Sequence, residues 1–379
     1  MKITKVEPIM CDSAWGVWIF IKVQTDDGVT GYGECSDHRG CTYGLLGCIK
    51  DLEKAIIGKD PRQTEQLYAE MYKLARQALG GVALKAIAGI DCALWDIKAK
   101  ALDVPLYELF GGPQQTKLKV YWGHCGLYRT RIADLMKIPH VKKMDDLYDL
   151  GKEVVKKGYS ALKTNIMFTG EPSEAALRDN IDAMKQIVSI FREAVGPKIE
   201  IAVDLNATFN NNGFISMGKA LEQYDLMWLE IDSPSPEALR QLKDSVRIPI
   251  CSGGILCTSR AFNPFLMKRS MDIAMVEVGG CGFTEARKIA ALADVHEIPI
   301  TPYNAVSHLS TFMTAQLCAS VPNVNIMGMD VDGAPWKDEI VTDVPVIKDG
   351  FLQLPRKPGI GCELNEKEIA KHPWDGHRG

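Results

Sequence analysis

Three short runs hold the residues with the most chemistry to offer: "LKTN" (162–165), "VDLN" (203–206) and "WLEID" (228–232). Each is an apolar, strand-like segment that ends in charged or amide side chains. Side chains alternate along a strand, so Lys163 shares a face with Asn165, Asp204 with Asn206, and Glu230 with Asp232. On adjacent strands, about 4.8 Å apart, the carboxylates of Asp204 and Glu230 come close together. Two such acids repel and require a cation or a shared proton. An all-oxygen pair suits Mg²⁺, which takes one or two carboxylates together with water and substrate oxygens. Lys163 offers a cation for a substrate carboxylate, or a group for proton transfer. Charged strand ends also cap and pair with one another, so both uses stay open at this level.

These runs belong to a longer series. Eight apolar, β-rich segments occur from about residue 117 onward: "LKVYWGH" (118–124), "SALKTN" (160–165), "IEIAVDLN" (199–206), "LMWLEI" (226–231), "IPICSG" (248–253), "DIAMVEV" (272–278), "IPITPYN" (298–304) and "NVNIMGM" (323–329). Helical patterns such as "EALRQLKDSV" and "TEARKIAALADVHE" separate them. Near-continuous apolar strands alternating with helices imply parallel strands buried on both faces. Eight units predict a (β/α)8 TIM barrel, whose sites lie at the C-terminal strand ends. An open doubly wound sheet is the structural alternative, but its glycine-rich phosphate loop is missing after the first strand. From the second strand onward, the ends carry Lys163 and Asn165, Asp204 and Asn206, Glu230 and Asp232, then Gly253-Gly254, Glu277, Tyr303-Asn304, and Gly328 followed by Asp330.

The N-terminal part differs. Alternating strands flank the turn signal Asp27-Gly28, and three helical patterns follow. This predicts an α+β capping domain over 1–115, a barrel over 116–345, and a C-terminal segment over 346–379 that returns to the cap. The net charge of −4 gives no reason to expect nucleic acid. No apolar run approaches the roughly 20 residues of a membrane span, and no signal-peptide pattern opens the chain. The 11 cysteines form no CxxC pair and read as reduced, buried small hydrophobes of a cytoplasmic protein.

With these motifs in hand, the sequence resembles the enolase superfamily, in its mandelate racemase-like branch with the acid-sugar dehydratases. The resemblance rests on "DDGVTGYGE" (26–34), "AIAGIDCALWDIKAKALDVPLYELFGG" (86–112), the three strand motifs, "GGCGFTEARKIAALADVHEIPITPYN" (279–304) and "DGFLQLPRKPGIGCEL" (349–364). It implies abstraction of a proton next to a carboxylate, with Mg²⁺ stabilising the enediolate. Asp204 and Glu230 match the first two metal ligands. The third position is Gly254, in "PICSGG", so weak metal binding is expected. Further departures are Asn165 where a second lysine often serves as base, Asn206, Tyr303 where the branch places a histidine, and Gly328 where many relatives carry Glu. Glu277 matches the carboxylate that orients that histidine.

The resemblance thus implies a Mg²⁺-dependent lyase acting on a small carboxylate, an acid sugar first. The alternatives are a racemase or epimerase, and a catalytically impaired member with a binding role. Lys163, Tyr303 and Glu277 are the candidate catalytic residues. Trp15, His38 and Arg39 in the cap loops, with Asn165 and Asn206, are the candidate substrate contacts. His308 is expected to be structural. A homo-oligomer is implied by resemblance alone.

Overall fold

The computed structural model describes residues 1–36 and 40–376. Its first three strands, β1 (Ile3–Asp12), β2 (Val17–Thr25) and β3 (Thr30–Glu34), form an antiparallel sheet in the order β1-β2-β3. The predicted Asp27-Gly28 turn joins β2 to β3. Three helices follow: α1 (Thr42–Ile56), α2 (Thr64–Ala75) and α3 (Gly81–Ala101). Most of α3 is buried, which fits its apolar character around much of its circumference. It packs on the sheet on one side and against the barrel helix Val278–Val295 on the other.

The barrel consists of β4 (Lys117–Gly123), β5 (Ala161–Asn165), β6 (Glu200–Asp204), β7 (Trp228–Glu230), β8 (Ile250–Ser252), β9 (Ile273–Val276), β10 (Ile300–Asn304) and β11 (Met327–Asp330). All neighbours are parallel, and pairing of β11 with β4 closes the ring. Tyr121, Ala202, Trp228, Cys251 and Met275 fill one buried cluster inside it, so the barrel is a packed core beneath its C-terminal rim. The eighth strand begins four residues later than the run 323–329 suggested. Val324 makes only an isolated bridge to Ile300, while Asn323 turns its side-chain amide onto the carbonyl of Ala290. The strand therefore ends on Asp330.

A short hairpin, β12 (Ile347–Lys348) and β13 (Phe351–Gln353), pairs antiparallel with β4 on the outside of the barrel. Residues beyond it reach the cap. The Ile360 amide donates to Asp96 on α3, and Glu366 accepts from Lys22 and from the hydroxyl of Tyr32. No helix among the described residues is long and apolar enough to cross a membrane. All 11 cysteines are free thiols, most of them buried.

Buried polar contacts fix the cap over the rim. Glu34, at the end of β3, accepts from the Ser307 hydroxyl and from the amide of Ser310, and so caps the helix His308–Ser320. Asp91 on α3 accepts from both the amide and the hydroxyl of Thr284, and Trp95 Nε1 donates to the same hydroxyl. The Trp336 indole donates to the carbonyl of Asp12 at 2.7 Å. These contacts carry the loop 13–16 to the barrel mouth.

Candidate active site

A cleft open to solvent lies between the cap and the C-terminal rim, and Lys163, Asp204, Glu230, Glu277, Tyr303 and Trp15 all face it. The strand register brings the acids together: Asp204 lies beside Asn165 on one side and Glu230 on the other. Lys163 Nζ stands 3.0 Å from Asp204 Oδ2 and 2.7 Å from Glu230 Oε2, with only 2% of its side chain exposed. Burial opposes its charge, but the two carboxylates outweigh that and hold its pKa well above the usual lysine value. Sequence reasoning offered Lys163 as a base. In this arrangement the two carboxylates favour its charged form.

The two acids differ. Burial works against the Asp204 carboxylate, yet Lys163 and His124 bring its pKa below the ordinary value. Burial and the neighbouring Asp204 push Glu230 upward, with Lys163 opposing. The pKa of Tyr303 is raised well above its ordinary value by burial and by Glu277, so its hydroxyl keeps its proton. Glu277 precedes the helix Val278–Val295. Its carboxylate lies 3.8 Å from Lys85 Nζ and leans over the helix start: a Cβ on Gly280 would stand 2.8 Å from Glu277 Oε2.

The two glycines of "PICSGG" have different causes. Gly253 has φ of +120°, and a Cβ there would stand 2.6 Å from the Phe262 ring and 2.9 Å from the Met275 carbonyl. Only glycine is accommodated. At Gly254 the three heavy atoms nearest a Cβ belong to Asp232, with Oδ1 at 3.2 Å. Asp232 Oδ1 is buried and has no hydrogen-bond partner, and burial together with Asp204 pushes its pKa up to about 6. A side chain at 254 would therefore need Asp232 to shift by a few tenths of an ångström. Gly328 also has a packing cause. A Cβ there would collide with the Tyr121 hydroxyl, so a glutamate is excluded by the tyrosine below it.

The donors match Mg²⁺ in kind: they are oxygen only, with two carboxylates in register and a third carrying an orphaned buried oxygen. Their arrangement is not that of a ready-made site. Among the described residues no three His, Cys, Asp or Glu side chains stand together as a metal cluster, and the Lys163 ammonium bridges the pair.

The other predicted contacts separate. Trp15 packs edge-on against Tyr128 at 6.0 Å and borders the cleft. The Asn206 amide donates to Asp204 Oδ1 at 3.0 Å, and the residue lines both the cleft and a side pocket. Asn165 faces that side pocket, with its Nδ2 3.4 Å from the Asp204 carbonyl. His38 and Arg39 lie outside the described residues. His308 begins a helix and pairs with Asp338 at 2.7 Å.

Sequence reasoning missed His124. Its Nδ1 lies 3.0 Å from both carboxyl oxygens of Asp330, its Nε2 lies 3.8 Å from Asp204 Oδ2, and its ring borders the cleft. The signal was present, because "LKVYWGH" ends in this histidine and the eighth strand ends in Asp330. What was missing was the closure that makes the first and last strands neighbours.

The matches to known proteins agree with this architecture. Residues 146–368 match the enolase C-terminal domain-like family, and residues 13–111 match the mandelate racemase / muconate lactonizing enzyme N-terminal domain. This chain belongs to the enolase superfamily, in its mandelate racemase-like branch. Among its relatives in that superfamily, D-xylonate dehydratase of Haloferax volcanii is 29% identical, with 99% of this chain and 90% of that protein covered. D-gluconate dehydratase of Thermoproteus tenax is 27% identical over 98% of this chain and 74% of that protein. Among solved enolase-superfamily structures, a candidate L-alanine-DL-glutamate epimerase from Burkholderia xenovorans, bound to magnesium and fumarate, superposes with a TM-score of 0.94. It is 34% identical and covers 98% of this chain and 96% of that one.

Proposed function

We propose that this protein is an acid-sugar dehydratase, a Mg²⁺-dependent lyase that removes a proton next to a substrate carboxylate and then expels water. The observation that carries the reading is the convergence of Lys163, Asp204 and Glu230 at the C-terminal rim of a barrel closed over by its cap. The dehydratases of D-xylonate and D-gluconate among its relatives support the substrate class. Asp204 and Glu230, joined by Asp232, would hold Mg²⁺, which when bound supplies Lewis-acid stabilisation of an enediolate.

The remaining roles fall to the chain's own groups. Lys163 keeps the two carboxylates oriented and balances their charge. Glu277, on the cleft wall, is the carboxylate left to accept the abstracted proton. The protonated Tyr303 hydroxyl donates to oxyanion charge as it develops. Trp15 and Asn206 border the space for the rest of the sugar chain.

The test is a panel of aldonates and aldarates incubated with the protein and Mg²⁺ and assayed for a 2-keto-3-deoxy acid. Turnover of at least one panel member, lost in Glu277→Gln, is the expected result. No product from any member would sink the reading. The likeness to the Burkholderia xenovorans protein favours one second reading, epimerisation of a small carboxylate. It would be seen as exchange and inversion at the α-carbon without loss of water.

A further inference from the structure

Dehydration needs a proton for the departing hydroxyl as well as a base for the carbon acid. We propose that His124 Nε2 is that donor, and that Asp330 is the positioning residue that aims it; the inference rests on the lyase reading above. His124 follows β4 directly, with φ of +43°. Nδ1 sits 3.0 Å from both oxygens of Asp330, so that nitrogen carries its proton toward the carboxylate. Nε2 is then the ring atom left for the cleft.

The support around Asp330 is specific. Its carboxylate is 3% exposed and also accepts from the Tyr128 hydroxyl at 2.6 Å. Lys337 Nζ donates to its backbone carbonyl at 3.0 Å. Asp330 is in register with Gly123, and a Cβ on Gly123 would stand 2.5 Å from Asp330 Oδ1. Glycine at 123 is therefore what lets the carboxylate reach across the closure seam to the histidine. The ring is thus held by Asp330 through one nitrogen, and its other nitrogen stands on the cleft wall, 3.8 Å from Asp204 Oδ2.

The step balances as follows. The C–H bond at the α-carbon gives its proton to the base, and its electron pair forms the new double bond. The C–O bond at the β-carbon breaks with its electron pair on oxygen. That oxygen takes the Nε2 proton and leaves as water, and the neutral imidazole regains a proton from solvent.

The test uses the full chain with Mg²⁺ in D₂O, following α-carbon deuterium exchange and keto-acid formation by NMR on the aldonate and aldarate panel. A parallel arm uses a 3-deoxy-3-fluoro analogue, whose fluoride leaves without protonation. His124→Asn and His124→Gln are both made, so that a folding failure in one leaves the other. Dehydration is expected to fall about 100-fold or more, the usual contribution of a general acid. Exchange and fluoride elimination should stay within about three-fold of the unmodified protein. Asp330→Asn should lose dehydration in the same selective way.

Dehydration surviving within about three-fold in a histidine variant would overturn the inference. So would loss of exchange and fluoride elimination along with dehydration in both histidine variants. Exchange without dehydration in the unmodified protein would overturn it and favour epimerisation. Neither reaction on any panel member would sink the lyase reading itself.

Discussion

Lys163 donates to Glu230 at 2.7 Å at the base of the cleft, and Asp204 completes the pairing from the neighbouring strand. Removing one member of a buried ion pair leaves an uncompensated charge, which costs roughly 3–5 kcal/mol. Lys163→Met should therefore lower the denaturation midpoint strongly in urea melts. It also vacates the cation's place, so added Mg²⁺ should raise the Tm of the variant more than that of the unmodified protein. Equal Mg²⁺ shifts in both would show that the carboxylates do not take up the ion when freed.

The atoms nearest a Cβ at Gly254 belong to Asp232, so a longer acid at 254 can enter the cleft if Asp232 gives way by a few tenths of an ångström. Gly254→Glu should tighten Mg²⁺ binding by about ten-fold, equivalent to about 1.4 kcal/mol, in calorimetric titration. Asp232→Asn should weaken it in the unmodified background and have little effect once Glu stands at 254. An unchanged affinity in Gly254→Glu would mean that the cleft has moved away from the metal geometry altogether.

Tyr121 carries a buried hydroxyl without a partner, and it stands where a Cβ on Gly328 would go. Gly328→Ala should destabilise by about 1–3 kcal/mol through overpacking. Tyr121→Phe removes an unsatisfied polar atom and should be within about 1 kcal/mol of neutral. The double variant keeps the ring, whose Cζ would stand 2.5 Å from that Cβ, so its loss should stay close to that of Gly328→Ala alone, and full recovery would contradict the contact.

Asp91 joins α3 to Thr284 on the barrel helix, and burial pushes its pKa up to about 7, with the Thr284 hydrogen bonds opposing. Its folded value lies above its unfolded one, so between about pH 4 and pH 7 the folded state holds more proton than the unfolded state. Stability from this group is fully present below about pH 4. It declines as pH rises to about 7 and is flat beyond, with a total of at most about 4 kcal/mol. Asp91→Asn should flatten that slope in melts taken across the window. An unchanged slope would assign it to other groups.

Much of this protein was legible in its sequence. Eight apolar runs separated by helical patterns determine a barrel, because strands buried on both faces must alternate with helices that cover them. The positions of Lys163, Asp204 and Glu230 at successive strand ends follow from the same periodicity. So does the break at Gly254, since a missing side chain is visible without coordinates.

Tertiary structure decided the rest. It closed β11 onto β4 and so joined His124 to Asp330, which lie 206 residues apart in the chain. It assigned Gly253 to backbone geometry and Gly328 to the bulk of Tyr121, and it set Gly254 beside the Asp232 carboxylate. It also set the Lys163 ammonium between two acids, 3.0 Å from Asp204 and 2.7 Å from Glu230. Periodicity reports which face a side chain takes. Only the closed ring determines which groups meet across it, and a proton's place depends on those neighbours.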